Sequence, residues 1–152
     1  MQSIDKLILR LNAICNFLNE CFDINFGGCC YVSYVIAKNL EKLNIPYSLI
    51  IWSDEFEDDD RSEEISSAIY NRNVDCIGLG WDTCSHYCIK INDTIINQRI
   101  GDEYYSEIYN IPSKDIKWIY DTGDWNDTYK KIMNSFVNSF IKLVFDIYKF
   151  QL

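Results

Sequence analysis

The sequence is short of the residue types on which most site chemistry rests. It has one histidine, His86, and its 14 lysines and arginines are outnumbered by 23 aspartates and glutamates, a formal charge of −9 over 152 residues. Nucleic acid and anionic membrane surfaces repel a chain of this sign, so neither is expected as a partner. No apolar run reaches the roughly 18 residues that span a bilayer. The amino terminus also lacks the basic-then-apolar pattern of a secretory signal. The seven cysteines, at 15, 21, 29, 30, 76, 84 and 88, form no paired framework. Their odd number and irregular spacing read as free thiols in a reducing, cytoplasmic compartment.

What is present is the material of a core. Hydrophobic residues make up 48% of the chain, enough for one globular domain over 1–152. Ile4, Leu7, Ile8, Leu11, Ile14, Cys15 and Leu18 recur at helical spacing and predict a first helix to about Glu20, with Ser3 as its cap. After the glycine pair Gly27-Gly28, Val32, Val35, Ile36, Leu40 and Leu43 predict a second helix over about 29–44, ended by Pro46. Tyr47–Trp52 reads as a buried strand. The acidic run Asp54–Glu64 reads as a solvated connection, closed by a short helix at Ile65, Ala68 and Ile69.

The second half alternates turns and strands. Val74–Ile91 reads as extended chain broken at Gly78 and Gly80, and Asn92-Asp93 turns it into a hairpin partner at Thr94–Gln98. Ile116–Tyr120 reads as a further strand, followed by a turn at Asp121–Trp125. Tyr104, Tyr105 and Tyr109 fall in a polar connection and are expected to pack over the edge of the core. A last helix over about 127–149 is expected to bury Ile132, Phe136, Phe140, Leu143, Val144 and Ile147. A stripe on either terminal helix wider than the core can cover would imply a dimer.

Three separated residues carry the chemistry. Cys29 follows Gly27-Gly28 at the first turn of a helix, where unpaired N–H groups and the macrodipole favour thiolate. The glycines permit a tight turn and a close approach to the sulfur. His86 sits on a strand, able to lower the thiol pKa and act as general acid. Asn97, on the next strand, can orient one ring nitrogen so that the other faces the thiol.

This order of elements resembles the papain-like superfamily, and within it the small transglutaminase-like branch of bacterial and phage proteins. The matching stretches are Gly27-Gly28-Cys29-Cys30-Tyr31-Val32, His86-Tyr87-Cys88-Ile89-Lys90 and Ile96-Asn97-Gln98-Arg99-Ile100-Gly101, within residues 23–101. The resemblance implies an α+β fold, with the nucleophile-bearing helix packed on an antiparallel sheet between N- and C-terminal helices. It implies a thiol-dependent hydrolase or acyltransferase, acting on an amide or isopeptide bond of a peptide or protein through a Cys29–His86–Asn97 triad and a thioester, without a cofactor. Cys30 is the alternative nucleophile. The backbone N–H of Cys29 and the side chain of Asn25 are the expected oxyanion-hole donors.

Two other classes compete. Cys84, His86 and Cys88 share a strand face and could hold zinc with Cys29 or Cys30, although in-line strand residues about 6–7 Å apart strain that geometry. Alternatively, the acidic, tyrosine-rich surface would suit an inactive papain-like interaction module or a virion component.

Overall fold

Helical periodicity at the amino end becomes α1 (Ile4–Phe22), which buries Leu7, Ile8, Leu11, Cys15 and Leu18 and leaves Ile4 and Ile14 half-covered. The computed structural model describes residues 4–25, 28–52, 60, 63–64, 67–68, 71–72, 86–99, 104–121 and 127–151. The expected Ser3 cap, Gly27, most of the acidic run, Gly78, Gly80, Cys76, Cys84 and the Asp121–Trp125 turn beyond Asp121 lie outside the described residues.

α2 (Cys29–Lys42) is buried on nearly every side from Cys29 to Leu40, the mark of a central helix rather than a surface one. The sheet and the two C-terminal helices pack against it. Its carboxyl end stops two residues short of the expected boundary, and Pro46 leads into β1 (Ser48–Trp52), whose five residues are all buried. The sheet is completed by β2 (His86–Ile91), β3 (Thr94–Ile96) and β4 (Tyr105–Tyr109), all antiparallel, in the order β3-β2-β1-β4. Two further helices follow, α3 (Ser113–Asp121) and α4 (Asp127–Phe150). The described residues thus form an α+β arrangement of four helices and a four-stranded antiparallel sheet.

Strand alternation gives the sheet two unlike faces. Leu49, Ile51, Ile89, Ile91 and Ile108 enter the main core under α2, with Tyr87 packed against it. Ile50, Trp52 and Cys88 form a second, smaller apolar cluster on the opposite face. In register, His86 lies opposite Trp52 and Cys88 opposite Ile50, so both share that second face.

Three expectations are corrected. Ile116–Tyr120 is helical: Ile116, Ile119 and Tyr120 are buried at i, i+3 and i+4 spacing within α3. The cap of α3 is supplied from afar. The Glu41 carboxylate on α2 accepts the Ser113 backbone N–H at 2.7 Å and its hydroxyl at 2.5 Å. A negative charge at a helix start is stabilising. The Tyr47 hydroxyl adds to this joint, 2.6 Å from the Ile111 carbonyl and 3.0 Å from Glu41. Burial pushes the Glu41 carboxyl up, but the Ser113 and Tyr47 bonds outweigh it and leave the pKa below the ordinary value.

The connection holding Tyr105 and Tyr109 is in fact β4, with Ser106 and Ile108 turned inward and both tyrosines exposed. On α4 the covered stripe is Met133, Val137, Ile141, Val144, Phe145 and Tyr148. Of the expected stripe only Val144 is fully buried. Phe140 is half-covered, 5.5 Å from the exposed Phe17 ring, and Phe136 is exposed but stacks 4.8 Å from Phe22. Ile132, Leu143 and Ile147 face outward. Two apolar bands run side by side on this helix, and only the packing chooses between them.

That choice is testable by urea denaturation. Phe145→Ala, at a position of zero exposure, should lower stability by about 3–5 kcal/mol. Leu143→Ala, at 54% exposure, should change it by no more than about 0.5 kcal/mol. The reverse order would place the wrong face of α4 against the core.

Candidate functional site

The hairpin turn determines which backbone groups of β2 look outward. Its two-residue loop has Asn92 at φ 52°, the positive value that a tight hairpin needs at its first turn position. Ile91 opposite Thr94 and Ile89 opposite Ile96 are then the pairs that exchange backbone bonds. By the same alternation the N–H of Tyr87 points toward the β3 side. β3 has ended by then, at Ile96, so no strand residue lies opposite Tyr87.

On the α2 side, the backbone N–H groups of Tyr87, Cys30 and Cys29 itself act on the Cys29 sulfur, each lowering its pKa. His86 precedes Tyr87 on β2, and its imidazole lies on the face shared with Trp52 and Cys88, opposite the core face under α2. Trp52, its cross-strand partner, is buried and tilted 4.8 Å from the Tyr105 ring, and its indole N–H has no acceptor among the described residues.

Asn97 reaches His86 by a route different from the expected one. It occupies left-handed backbone at φ 67°, which asparagine tolerates better than most residues. This turns its main-chain carbonyl onto the ring: His86 Nε2 lies 2.7 Å from Asn97 O. A carbonyl only accepts, so Nε2 donates and Nδ1 is the basic nitrogen of the neutral ring. The Cys88 thiol donates to the same oxygen at 3.3 Å.

The Asn97 side chain turns elsewhere, its Nδ2 donating to Asn25 Oδ1 at 2.9 Å. Asn25 is anchored in turn by its N–H on Asn19 Oδ1 at 3.2 Å, and the Asn97 N–H is held by Asn12 Oδ1 at 3.1 Å. With Oδ1 occupied, Asn25 keeps Nδ2 as its donor end, the end an oxyanion would require. Asn12, Asn19 and Tyr87 escaped the sequence reading. The i, i+7 spacing of Asn12 and Asn19, on one side of α1, was the available signal.

Cys30 faces the other way. Its thiol lies 3.7 Å from the Ile116 carbonyl of α3, and burial pushes its pKa well above the ordinary value. The expected thiolate at Cys29 is not favoured in this state either. The residue is only 3% exposed, and burial outweighs the lowering effect of the N–H donors and of the Arg99 charge, so its pKa is raised. His86 is fully buried.

Gly28 serves packing rather than substrate access. A side-chain carbon there would lie 2.6 Å from the Ile24 carbonyl, the group that accepts the Gly28 N–H at 2.7 Å. Cys15, Cys21, Cys29, Cys30 and Cys88 are free thiols. No group of three metal-ligating side chains converges among the described residues, and no described helix is long and apolar enough to cross a membrane.

Burial of thiols implies a pH dependence of definite sign. Burial raises Cys29 and Cys30, and it raises Cys15 from 9.0 to about 12. A raised value means that the folded chain holds the proton more tightly than the unfolded one. This stability is therefore complete below pH 9 and is lost as pH rises toward 12. Cys15 alone accounts for about 4 kcal/mol of that loss. Urea midpoints should fall steeply over this range, and Cys15→Ala should flatten the fall.

Comparison with family models, with curated proteins and with solved structures finds no match to this chain.

Proposed function

We propose that the protein is a thiol-dependent hydrolase or acyltransferase of papain-like or transglutaminase-like design, with Cys29 as nucleophile and His86 as its acid–base partner. The observation that supports this most is the fixed imidazole: the Asn97 carbonyl lies 2.7 Å from Nε2 and leaves Nδ1 basic, while the N–H of the next residue, Tyr87, lowers the Cys29 pKa. Cys29 is preferred to Cys30 because only its pKa is lowered by helix-start N–H groups, the kind of donor an oxyanion needs.

The raised thiol pKa makes the first step one of concerted proton transfer rather than attack by a preformed thiolate. His86 Nδ1 removes the thiol proton as Sγ bonds to the carbonyl carbon of an amide, and the carbonyl electron pair moves onto oxygen. Collapse of this intermediate re-forms C=O and breaks the C–N bond, and the amine leaves with the proton from His86. Water or an amine then attacks the thioester, gives its proton to the imidazole and releases the acyl product, and the sulfur recovers its hydrogen. The substrate is a neutral or basic peptide or protein, in keeping with the acidic surface.

A second reading, an inactive interaction module of the same fold, is favoured by the burial of both Cys29 and His86. Acylation by p-nitrophenyl acetate, with the modified residue located by mass spectrometry, separates the two. The active reading expects acetyl-Cys29 whose formation slows by about 100-fold or more in His86→Ala. The exposed Cys21 should react without regard to His86. Acetylation that spares Cys29, or that His86→Ala leaves unchanged, establishes the inactive module.

A further inference from the structure

We propose that Asn12, on α1, is a positioning residue for the His86 imidazole, acting through the main chain of Asn97. The inference deepens the hydrolase reading and rests on it for its catalytic meaning. The imidazole is held by a backbone carbonyl, so its orientation depends on where the Asn97 peptide sits rather than on a side-chain rotamer.

That peptide lies just beyond the end of β3, where the strand ladder no longer fixes it. Its φ of 67° is left-handed backbone that asparagine tolerates, and no ladder bond holds it there. The support on the N–H side is Asn12 Oδ1 at 3.1 Å. This bond crosses from the half-buried side of α1 to the sheet, so it fixes Asn97 to a rigid element. On the carbonyl side the same residue meets His86 Nε2 at 2.7 Å and the Cys88 thiol at 3.3 Å. One residue thus joins helix α1 to the ring nitrogen, with one bond on its N–H and another on its C=O. The Asn97 side chain, bonded to Asn25, lies outside this route.

The consequence is a single tautomer. While the carbonyl is in place, Nε2 carries the hydrogen and Nδ1 is left basic, as the proposed proton transfer from Cys29 requires. If the Asn12 bond is lost, the Asn97 carbonyl can rotate from the ring and both tautomers become available.

Because the chain has one histidine, ¹⁵N NMR of histidine-labelled protein reads this ring without overlap. The wild type should show the Nε2–H tautomer alone. Asn12→Leu, close in shape but unable to accept, should show both tautomers while far-UV circular dichroism stays that of the wild type. Asn12→Asp retains an acceptor oxygen and should restore the single form. Asn97→Gly, which keeps the carbonyl and accepts a positive φ, should also retain it. A wild-type spectrum in folded Asn12→Leu overturns the proposal, as does a mixture in Asn97→Gly or Asn12→Asp. The last two variants keep the test decisive if Asn12→Leu does not fold. The tautomer is read without any acylation. An unchanged spectrum with His86-dependent acetylation intact therefore defeats only this inference, and a tautomer response without acetylation defeats only the hydrolase reading.

Discussion

The site is organised by where β3 stops. Two more pairs beyond Ile96 would have placed Gln98 against Tyr87 and used its N–H in the ladder. Instead, the left-handed conformation of Asn97 ends the strand, and two things follow from that one turn. The Tyr87 N–H is left outside the β2–β3 ladder, where it lowers the Cys29 pKa, and the Asn97 carbonyl is swung onto His86.

The same junction explains the electrostatic character of the thiol. A helix start, with its own N–H groups and a charged arginine at longer range, lowers a cysteine pKa, and enclosure in an apolar core raises it. Enclosure wins here. The resting sulfur is a protonated thiol. The sheet has two unlike faces. One is committed to the core under α2, whereas the other carries His86, Cys88 and Trp52 in a small cluster of its own.

Much of the framework was legible because periodicity is local. The spacing of Leu7, Leu11 and Leu18 defines α1, the short apolar run at 48–52 defines β1, and the Asn92-Asp93 turn places β2 against β3. The misreadings share a different cause. Ile116–Tyr120 is rich in residues that suit strands, and what makes it helical is a cap supplied by Glu41 on another helix, 72 residues away. β4 presents only Ser106 and Ile108 inward, so its alternation is hidden behind exposed tyrosines. α4 carries two apolar bands, and no feature of its own sequence ranks Phe145 above Leu143.

From the sequence alone come the residue types of the site and their order along the chain: a cysteine after a glycine pair, one histidine, and an asparagine eleven residues later across a hairpin. Tertiary structure alone decided the rest. It selected the main-chain carbonyl of Asn97 over its side chain as the group that holds the ring, recruited Asn12 from 85 residues away, and turned Cys30 into the core while Cys29 met the sheet. The physical reason is that hydrogen bonds to buried backbone groups are assigned by whichever partner packing brings within about 3 Å. That partner is a property of the assembled elements, and spacing along the chain does not encode it.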